Sequence, residues 1–304
     1  NNDINDTMND CKNFRREDIP CDIIGLEPGW TADHRYHFGT DKQWNGRTYP
    51  VPAWQKGDKA STFLGAMERI NFHLSLWLCI EYDLSYEEER RAGYEVKPDE
   101  IIWDDDDYVH DSHFATKARL DENTKLEEPF FEHLKKFVDD GAECFKLDGC
   151  HQIDDHPDRQ WGNGMSDEEM HNLFPLIYAK QMSLGFREHT GRRAMIYTSG
   201  GYTGIQKYAA TWAGDTGGGA KPLASMLNLG YSGHSNVSCD METNSAEGIH
   251  FGFMQTWSQL SNWAYWNQPW YLGDDLCDCF RFYAKLRYRL APYIYTMAHK
   301  AAET

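Results

Sequence analysis

Four acidic residues stand where runs of apolar residues give way to turn residues. They are Glu27 in GLEPGW, Asp148 in FKLDG, Asp215 in TWAGDTGG and Asp240 in VSCDMET. An ionised carboxylate is costly to bury in a core, whereas one at the mouth of a strand can meet a ligand. Turn chemistry accounts for one such acid more easily than for four. Enzymes that cleave glycosides use a pair of carboxyl groups around a pocket. One attacks or stabilises the anomeric carbon, and the other protonates the leaving oxygen.

Aromatic residues also fall at or after predicted strand ends. Aromatic rings stack their apolar faces on the C–H surfaces of sugars, and they also pack in cores. For any single ring, core packing is a slightly better explanation than ligand stacking. For the group as a whole, we predict that at least one ring contacts a ligand. The group is Trp30, Trp212, Trp257, Trp263, Tyr265, Trp266 and Trp270. The candidates for the binding site are Trp30, Trp212, Trp257 and Trp266.

Strand-like and helix-like segments alternate along the chain. Seven segments are typical of strands: CDIIGLEPGW, FHLSLWLCIEYDL, AECFKLDG, RAMIYTSGG, ATWAGDTGG, GYSGHSNVSCDMET and residues 250–257. Such alternation predicts parallel strands joined by right-handed crossovers. A (β/α)8 TIM barrel has eight strands, whose tips converge on one face. Because the chain opens with a helical pattern over residues 4–18, we predict a TIM barrel that lacks its first strand in this sequence.

An open, doubly wound sheet is the competing architecture, but no Gly-rich phosphate loop follows the first strand. One domain over residues 1–304 is expected, since barrels reach this length as single units. Residues 85–127 are polar and aperiodic, which predicts an elaborated loop insertion. The run Asp104–Asp107 could hold a cation, but its spacing favours a solvated acidic loop. We expect no metal and no cofactor.

Composition limits the partners. The 48 acidic and 30 basic residues give a formal charge of −18, which repels nucleic acid and anionic membrane surfaces. No run of 18 apolar residues is present, so no membrane span is expected. The eight cysteines include no CxxC pair, and reduced, buried thiols in a cytoplasmic protein fit them best. The chain does not begin with Met, so a missing signal peptide proves nothing about location.

Three motifs together carry a family resemblance. ECFKLDG ends in a Lys-x-Asp tip, TWAGDTGG contains W-x-G-D, and YAKLRYRLAPYIYTMAHKAAET carries the closing L-R-Y-R-L-x-P-Y, in this order. With the intervening EMHNLFPLIYAKQMSLGFREHTGRRAMIYTSGG, they resemble the catalytic barrel of glycoside hydrolase family 31, the α-glucosidase and α-xylosidase family. The similarity covers about residues 3–304. It implies a (β/α)8 barrel, an oligosaccharide or glycoside substrate, and flanking β-sandwich domains in the parent chain.

The resemblance also implies roles for five residues. Asp148 matches the family's nucleophile and Asp215 its acid/base. Asp240 matches an aspartate that contacts the sugar in the cleavage subsite, and Glu27 occupies the place of a sugar-binding aspartate. Lys146 matches a lysine found in many members, and its place two residues before Asp148 puts a cation on the same face of the strand.

Two hydroxyl-binding positions depart from the family pattern. Ser199 stands where the family has an arginine, and the stretch holding Trp266 and Asn267 contains no histidine where the family has one. Glu27 is also one methylene longer than the family's aspartate. Losing both donors argues against simple glucosidase specificity, which leads to the hypothesis of an α-galactoside or α-N-acetylgalactosaminide substrate.

The predicted function is retaining, exo-acting hydrolysis of a terminal α-linked sugar through a covalent glycosyl-aspartate. A catalytically silent carbohydrate-binding barrel of the same family is one alternative, and metal-dependent barrel chemistry is another. Replacing Asp148 or Asp215 with alanine abolishes hydrolysis under the first reading, whereas a binding module has no activity to lose. Metal-dependent chemistry predicts loss of activity with a chelator.

Overall fold

The structure is a computed structural model that describes most of the chain. The described residues are 3–32, 42–51, 61–79, 130–148, 166–170, 172–215, 220–260 and 268–303. The predicted insertion at 85–127, the acidic run within it and Trp266 lie outside these ranges.

The described part of the chain is built around a six-stranded parallel sheet with its strands in consecutive order. The strands are β1 (Ile23–Leu26), β2 (His73–Cys79), β3 (Ala142–Asp148), β4 (Met195–Thr198), β5 (Ala210–Trp212) and β6 (Val237–Ser238). A doubly wound sheet would reverse its strand order at a switch point. The order here runs in one direction, as in the wall of a TIM barrel, so the carboxyl ends of all six strands lie at one edge.

Helices connect and cover these strands. They are α1 (Ile4–Arg16), α2 (Phe63–Arg69), α3 (Phe131–Asp140), α4 (Asp167–Met170), α5 (Phe174–Thr190), α6 (Ala220–Tyr231), α7 (Ala246–Phe253) and α8 (Asp274–Glu303). Short 3₁₀ turns occupy Pro28–Trp30, Ile205–Lys207 and Pro269–Tyr271. No helix in the described ranges is both long enough and apolar enough to cross a membrane.

Local sequence sets the ends of the helices that lead into the sheet. The carboxylate of Asp3 accepts hydrogen bonds from the backbone N–H groups at the start of α1, which satisfies donors that a helix leaves unpaired. Gly141 has φ 127° and Gly191 has φ 70°, conformations that side chains disfavour. These glycines stop α3 and α5 and turn the chain directly into β3 and β4.

Alternation along β3 separates the core from the site. Phe145 and Leu147 are fully buried, and the ring of Phe145 packs edge-on against Phe186 of α5 at 6.4 Å. Successive side chains of a strand point to opposite faces. Lys146 and Asp148 therefore face away from α5, towards the interior enclosed by the curved sheet.

The prediction of a strand at 250–257 was wrong. Residues Ala246–Phe253 form α7, whose first turn is capped by the Ser245 hydroxyl accepting from the backbone N–H of Gly248 at 3.0 Å. Beyond β6, parallel backbone pairing occurs as an isolated bridge between Asp240, two residues after β6, and Gln259, which follows α7. The wall of the barrel thus continues at Gln259 beside β6.

Candidate active site

Lys146 and Asp148 form the centre of the candidate site. The Lys146 Nζ lies 3.7 Å from Oδ2 of Asp148 and 3.5 Å from Oε1 of Glu27, which follows β1. The Lys146 side chain is 17% exposed and that of Asp148 is 19% exposed, whereas that of Glu27 is 53% exposed. The strand tips thus bring together three predicted site residues that are up to 121 positions apart, from 27 to 148.

The charge of Lys146 is fixed by its neighbours. Burial alone would lower the pKa of this ammonium, because a low-dielectric surrounding disfavours charge. The negative charges of Glu27 and Asp148, followed by the groups of Tyr197 and Asp215, outweigh burial and raise the pKa above its usual value. The site therefore keeps a cation at its centre at neutral pH.

Asp148 is also held by a residue of the neighbouring strand. The indole Nε1 of Trp77, in β2, donates a hydrogen bond to Oδ2 of Asp148 at 2.9 Å. Trp77 pairs with Lys146 in the ladder between β2 and β3, which sets the two side chains side by side. The Trp77 indole and the Lys146 ammonium therefore both lie next to Oδ2 of Asp148.

Asp215 follows β5 at the same edge of the sheet. Its side chain is exposed, and its charge acts on Lys146 and also on Asp240. Asp215 therefore belongs to the same electrostatic neighbourhood as Asp148, which also acts on both residues. The roles of Asp148 as nucleophile and of Asp215 as acid/base stay predictions.

Asp240 is the most enclosed of the four predicted acids, with only 3% of its surface exposed. Its Oδ1 accepts a hydrogen bond from Nε2 of Gln259 at 2.8 Å. Its Oδ2 is buried and has no hydrogen-bond partner in the described structure. Burial raises the pKa of Asp240 to about 7, the attraction of Lys146 opposes this, and the nearby acids add to it.

Aromatic rings line the interior beside these acids. The Lys146 Nζ lies 5.4 Å from the ring centroid of Trp212, within cation–π range. The ring of Tyr197 contacts Trp212 at 5.7 Å and Trp257 at 5.1 Å. The hydroxyl groups of Tyr197 and Ser75 lie 3.1 Å apart, and burial raises the pKa of Tyr197 to about 12. Trp212 is only 1% exposed, so, like a core ring, it offers little face to a sugar, and the half-buried ring of Tyr197 links it to Trp257.

Trp30 lies in a different environment from the one predicted. It has no exposed surface, and its ring meets Trp44 at 5.3 Å and Phe137 of α3 at 5.0 Å, both edge-on. A ring enclosed in this way offers no face to a sugar. Among the described residues, Trp30 is linked to the site by its indole N–H, which donates to the backbone carbonyl of Trp77 at 2.9 Å.

The remaining candidates are only partly described. Ser199 follows β4 and is half-buried, two residues beyond Tyr197. Trp266 lies outside the described residues. Within the described ranges, no cluster of three or more His, Cys, Asp or Glu side chains could hold a metal ion.

Sequence reasoning missed Trp77, Tyr197 and Gln259, which contact or surround the predicted acids. For Trp77 and Tyr197, a usable signal was the alternation of side chains along β2 and β4, which puts both on the same face of the sheet as Lys146. Trp77 stands opposite Lys146, and Lys146 stands opposite Tyr197 in the parallel ladders. Gln259 had no comparable signal, because it lies in the segment beyond the helix that was predicted as a strand.

Comparison with known proteins places this arrangement in a family. The model of the glycosyl hydrolases family 31 TIM-barrel domain matches residues 1–297. Alpha-glucosidase 2 of Bacillus thermoamyloliquefaciens is 26% identical over 159 residues, which cover 47% of this chain and 20% of that protein. An alpha-xylosidase of Saccharolobus solfataricus is 27% identical over 204 residues, which cover 56% of this chain and 27% of that protein.

Solved structures of the family share the fold of this chain over nearly its whole length. The family 31 dextranase of Flavobacterium johnsoniae, complexed with glucose, superposes with a TM-score of 0.72 at 20% identity, covering 99% of this chain and 39% of that one. The chain spans well under half the length of these relatives. The match of the family model over 297 of 304 residues shows that the chain belongs to glycosyl hydrolase family 31, in its TIM-barrel domain.

Proposed function

We propose that the protein hydrolyses a terminal α-linked sugar with retention of anomeric configuration, with Asp148 as nucleophile and Asp215 as acid/base. One observation carries the proposal. The carboxylates of Asp148 and Glu27 contact one lysine at the carboxyl ends of parallel strands, and Asp215 acts on the same lysine. Active sites of TIM-barrel enzymes lie at this face. The related α-glucosidase and α-xylosidase support the same reaction class.

The reaction has two steps. In the first, a carboxylate oxygen of Asp148 bonds to the anomeric carbon, the bond to the leaving oxygen breaks, and the proton of Asp215 passes to that oxygen. In the second, water attacks the same carbon, its proton passes to Asp215, and the bond to Asp148 breaks. The net change is hydrolysis, and both carboxyl groups return to their starting protonation states.

The charge of the site favours neutral sugars. The carboxylates of Glu27 and Asp148 outnumber the one ammonium that they contact, that of Lys146, so an anionic sugar would meet net repulsion close to Asp148. Ser199 in place of the family's arginine removes a donor to a sugar hydroxyl. We therefore propose an α-galactoside or an α-N-acetylgalactosaminide as the substrate. A panel of 4-nitrophenyl α-glycosides tests this, and fastest turnover of the glucoside would overturn the specificity.

The catalytic proposal is tested in the intact protein with Asp148→Asn and Asp215→Asn. We expect Asp148→Asn to abolish turnover of every substrate. For Asp215→Asn we expect a larger loss with poor leaving groups than with nitrophenolate, which needs no proton. Proton NMR of the first product should show the α-anomer. Initial release of the β-anomer would indicate inversion, and sugar binding without turnover in the wild type would indicate a silent binding barrel.

A further inference from the structure

The indole of Trp77 donates a hydrogen bond to the proposed nucleophile. Its Nε1 lies 2.9 Å from Oδ2 of Asp148, a distance typical of an N–H···O hydrogen bond. The ammonium of Lys146 lies 3.7 Å from the same oxygen. Oδ2 is thus held by a neutral donor from β2 and by a cation from its own strand.

The backbone determines where this indole lies. Trp77 pairs with Lys146, and the residue two places further along β2 pairs with Asp148, so the indole side chain and the carboxylate stand on one face of the sheet. The carbonyl of Trp77 accepts a 2.9 Å hydrogen bond from the fully buried indole of Trp30. Trp30 therefore anchors the point of the strand from which the donor projects.

We propose that Trp77 is a positioning residue that holds Oδ2 of Asp148, so that Oδ1 is the oxygen that bonds to the anomeric carbon. This inference rests on the proposed function, in which Asp148 is the nucleophile. A fixed carboxylate plane brings the attacking oxygen into line with the carbon and removes the cost of orienting it during the reaction. The rigid, bicyclic indole holds that geometry with few rotatable bonds.

The same N–H acts unequally on the two steps. Oδ2 carries part of the carboxylate charge in the free enzyme, and it becomes the carbonyl oxygen of the ester once Oδ1 has bonded to the sugar. A hydrogen bond to an ionised oxygen is stronger than one to a neutral carbonyl. Trp77 therefore stabilises Asp148 as it leaves the sugar, so the step in which water attacks depends on the indole more than the first step does.

The test is Trp77→Phe in the intact protein, assayed with a 4-nitrophenyl α-glycoside of the preferred sugar. We expect kcat to fall by roughly 10- to 100-fold, the effect of a hydrogen bond to a charged group. We expect KM to fall with it, because the covalent intermediate accumulates. Rapid mixing should show a burst approaching one nitrophenolate per site, and mass spectrometry should find the sugar on the peptide that contains Asp148.

Trp44→Phe is the matched control, because its indole donates to Oδ2 of Asp140 at 2.8 Å, outside the site. We expect this variant to keep wild-type kinetics. If Trp77→Phe does not fold, the sulfur isostere of tryptophan at position 77 removes the N–H while keeping the ring shape. A kcat within about twofold of wild type, or a lower kcat with a raised KM and no burst, would overturn the role of Trp77. Turnover by Asp148→Asn would instead overturn the proposed function itself.

Discussion

Replacing Asp240 with asparagine should change how stability depends on pH. Asp240 is 3% exposed, and one of its oxygens is buried without a hydrogen-bond partner among the described residues. Burial raises its pKa from the ordinary 3.8 to about 7, with Lys146 opposing the rise and Asp215 and Glu27 adding to it. The folded protein therefore retains a proton at this carboxyl group that the unfolded chain releases.

The sign of the effect follows from proton binding. Between about pH 4 and pH 7 the folded state holds more protons at Asp240 than the unfolded state does, so the free energy of unfolding falls as pH rises through this window. A pKa that rises from 3.8 to about 7 corresponds to a total of about 4 kcal/mol of pH-dependent stability. An asparagine at this position would be neutral in both states, so Asp240→Asn removes this pH-dependent loss.

Urea unfolding of the wild type and of Asp240→Asn at pH values from 4 to 8 measures this difference. Contributions from titrating groups that do not interact with Asp240 are common to both proteins and cancel in the subtraction, so the difference reports Asp240 and the groups coupled to it. We expect the free energy of unfolding of Asp240→Asn to gain about 4 kcal/mol relative to the wild type between pH 4 and pH 8. A difference that stays constant within about 1 kcal/mol would refute a protonated Asp240 in the fold.

Two further predictions concern the helices that support the site. In Gly185→Ala the new methyl would lie 2.4 Å from the ring of buried Phe131, so we expect urea unfolding to show a loss of about 1–3 kcal/mol. Gly230→Ala, also helical but with nothing within 4 Å, should gain about 0.5–1 kcal/mol, and equal effects would contradict the packing argument. The guanidinium of Arg287 donates to the carbonyls of residues 253, 255 and 256, so Arg287→Lys should lose about 1–3 kcal/mol in the same assay, and an unchanged stability would contradict this.

Strand tips could be predicted from the sequence because they depend on local pattern. The apolar run of β3 ends at Leu147, and alternation alone puts Lys146 and Asp148 on the opposite face. The order of the strands followed from their alternation with helices, which permits few topologies. The structure places the predicted acids at 27, 148 and 240 around Lys146 or within its electrostatic reach, and their roles stay predictions.

The segment at 250–257 could not be assigned in this way. A short apolar run fits a buried strand and a buried helix equally well, since periodicity needs more residues to tell them apart. The deciding features were the Ser245 cap and the close approach of Gly252 to Met241, where an added methyl would lie 2.5 Å from the methionine side chain. The second of these is a tertiary contact that the sequence does not reveal.

The two buried tryptophans show a second limit. Trp30 and Trp212 both lie at or just after the end of an apolar run, so the sequence predicts sugar binding equally for the two. The 3₁₀ turn Pro28–Trp30 leads the first indole into the core against Phe137, whereas β5 holds the second indole beside Lys146. The face that each ring takes is set by the turn and by helix packing, neither of which the motif contains.

The protonation states of the acids were also beyond the motif, because three of the four are chemically identical aspartates. At Asp240 the largest influence is burial, and the ammonium of Lys146 opposes it. The ammonium of Lys146 lies within 4 Å of the carboxylates of Glu27 and Asp148. Its attraction for Asp240 acts over a longer distance. Burial outweighs that attraction and raises the pKa of Asp240 to about 7, so a large fraction of this carboxyl group still carries its proton near neutral pH. A neutral carboxyl group can donate a hydrogen bond to a sugar oxygen, which a carboxylate cannot. Burial at the end of β6 thus gives Asp240 a chemistry that its residue type alone does not predict.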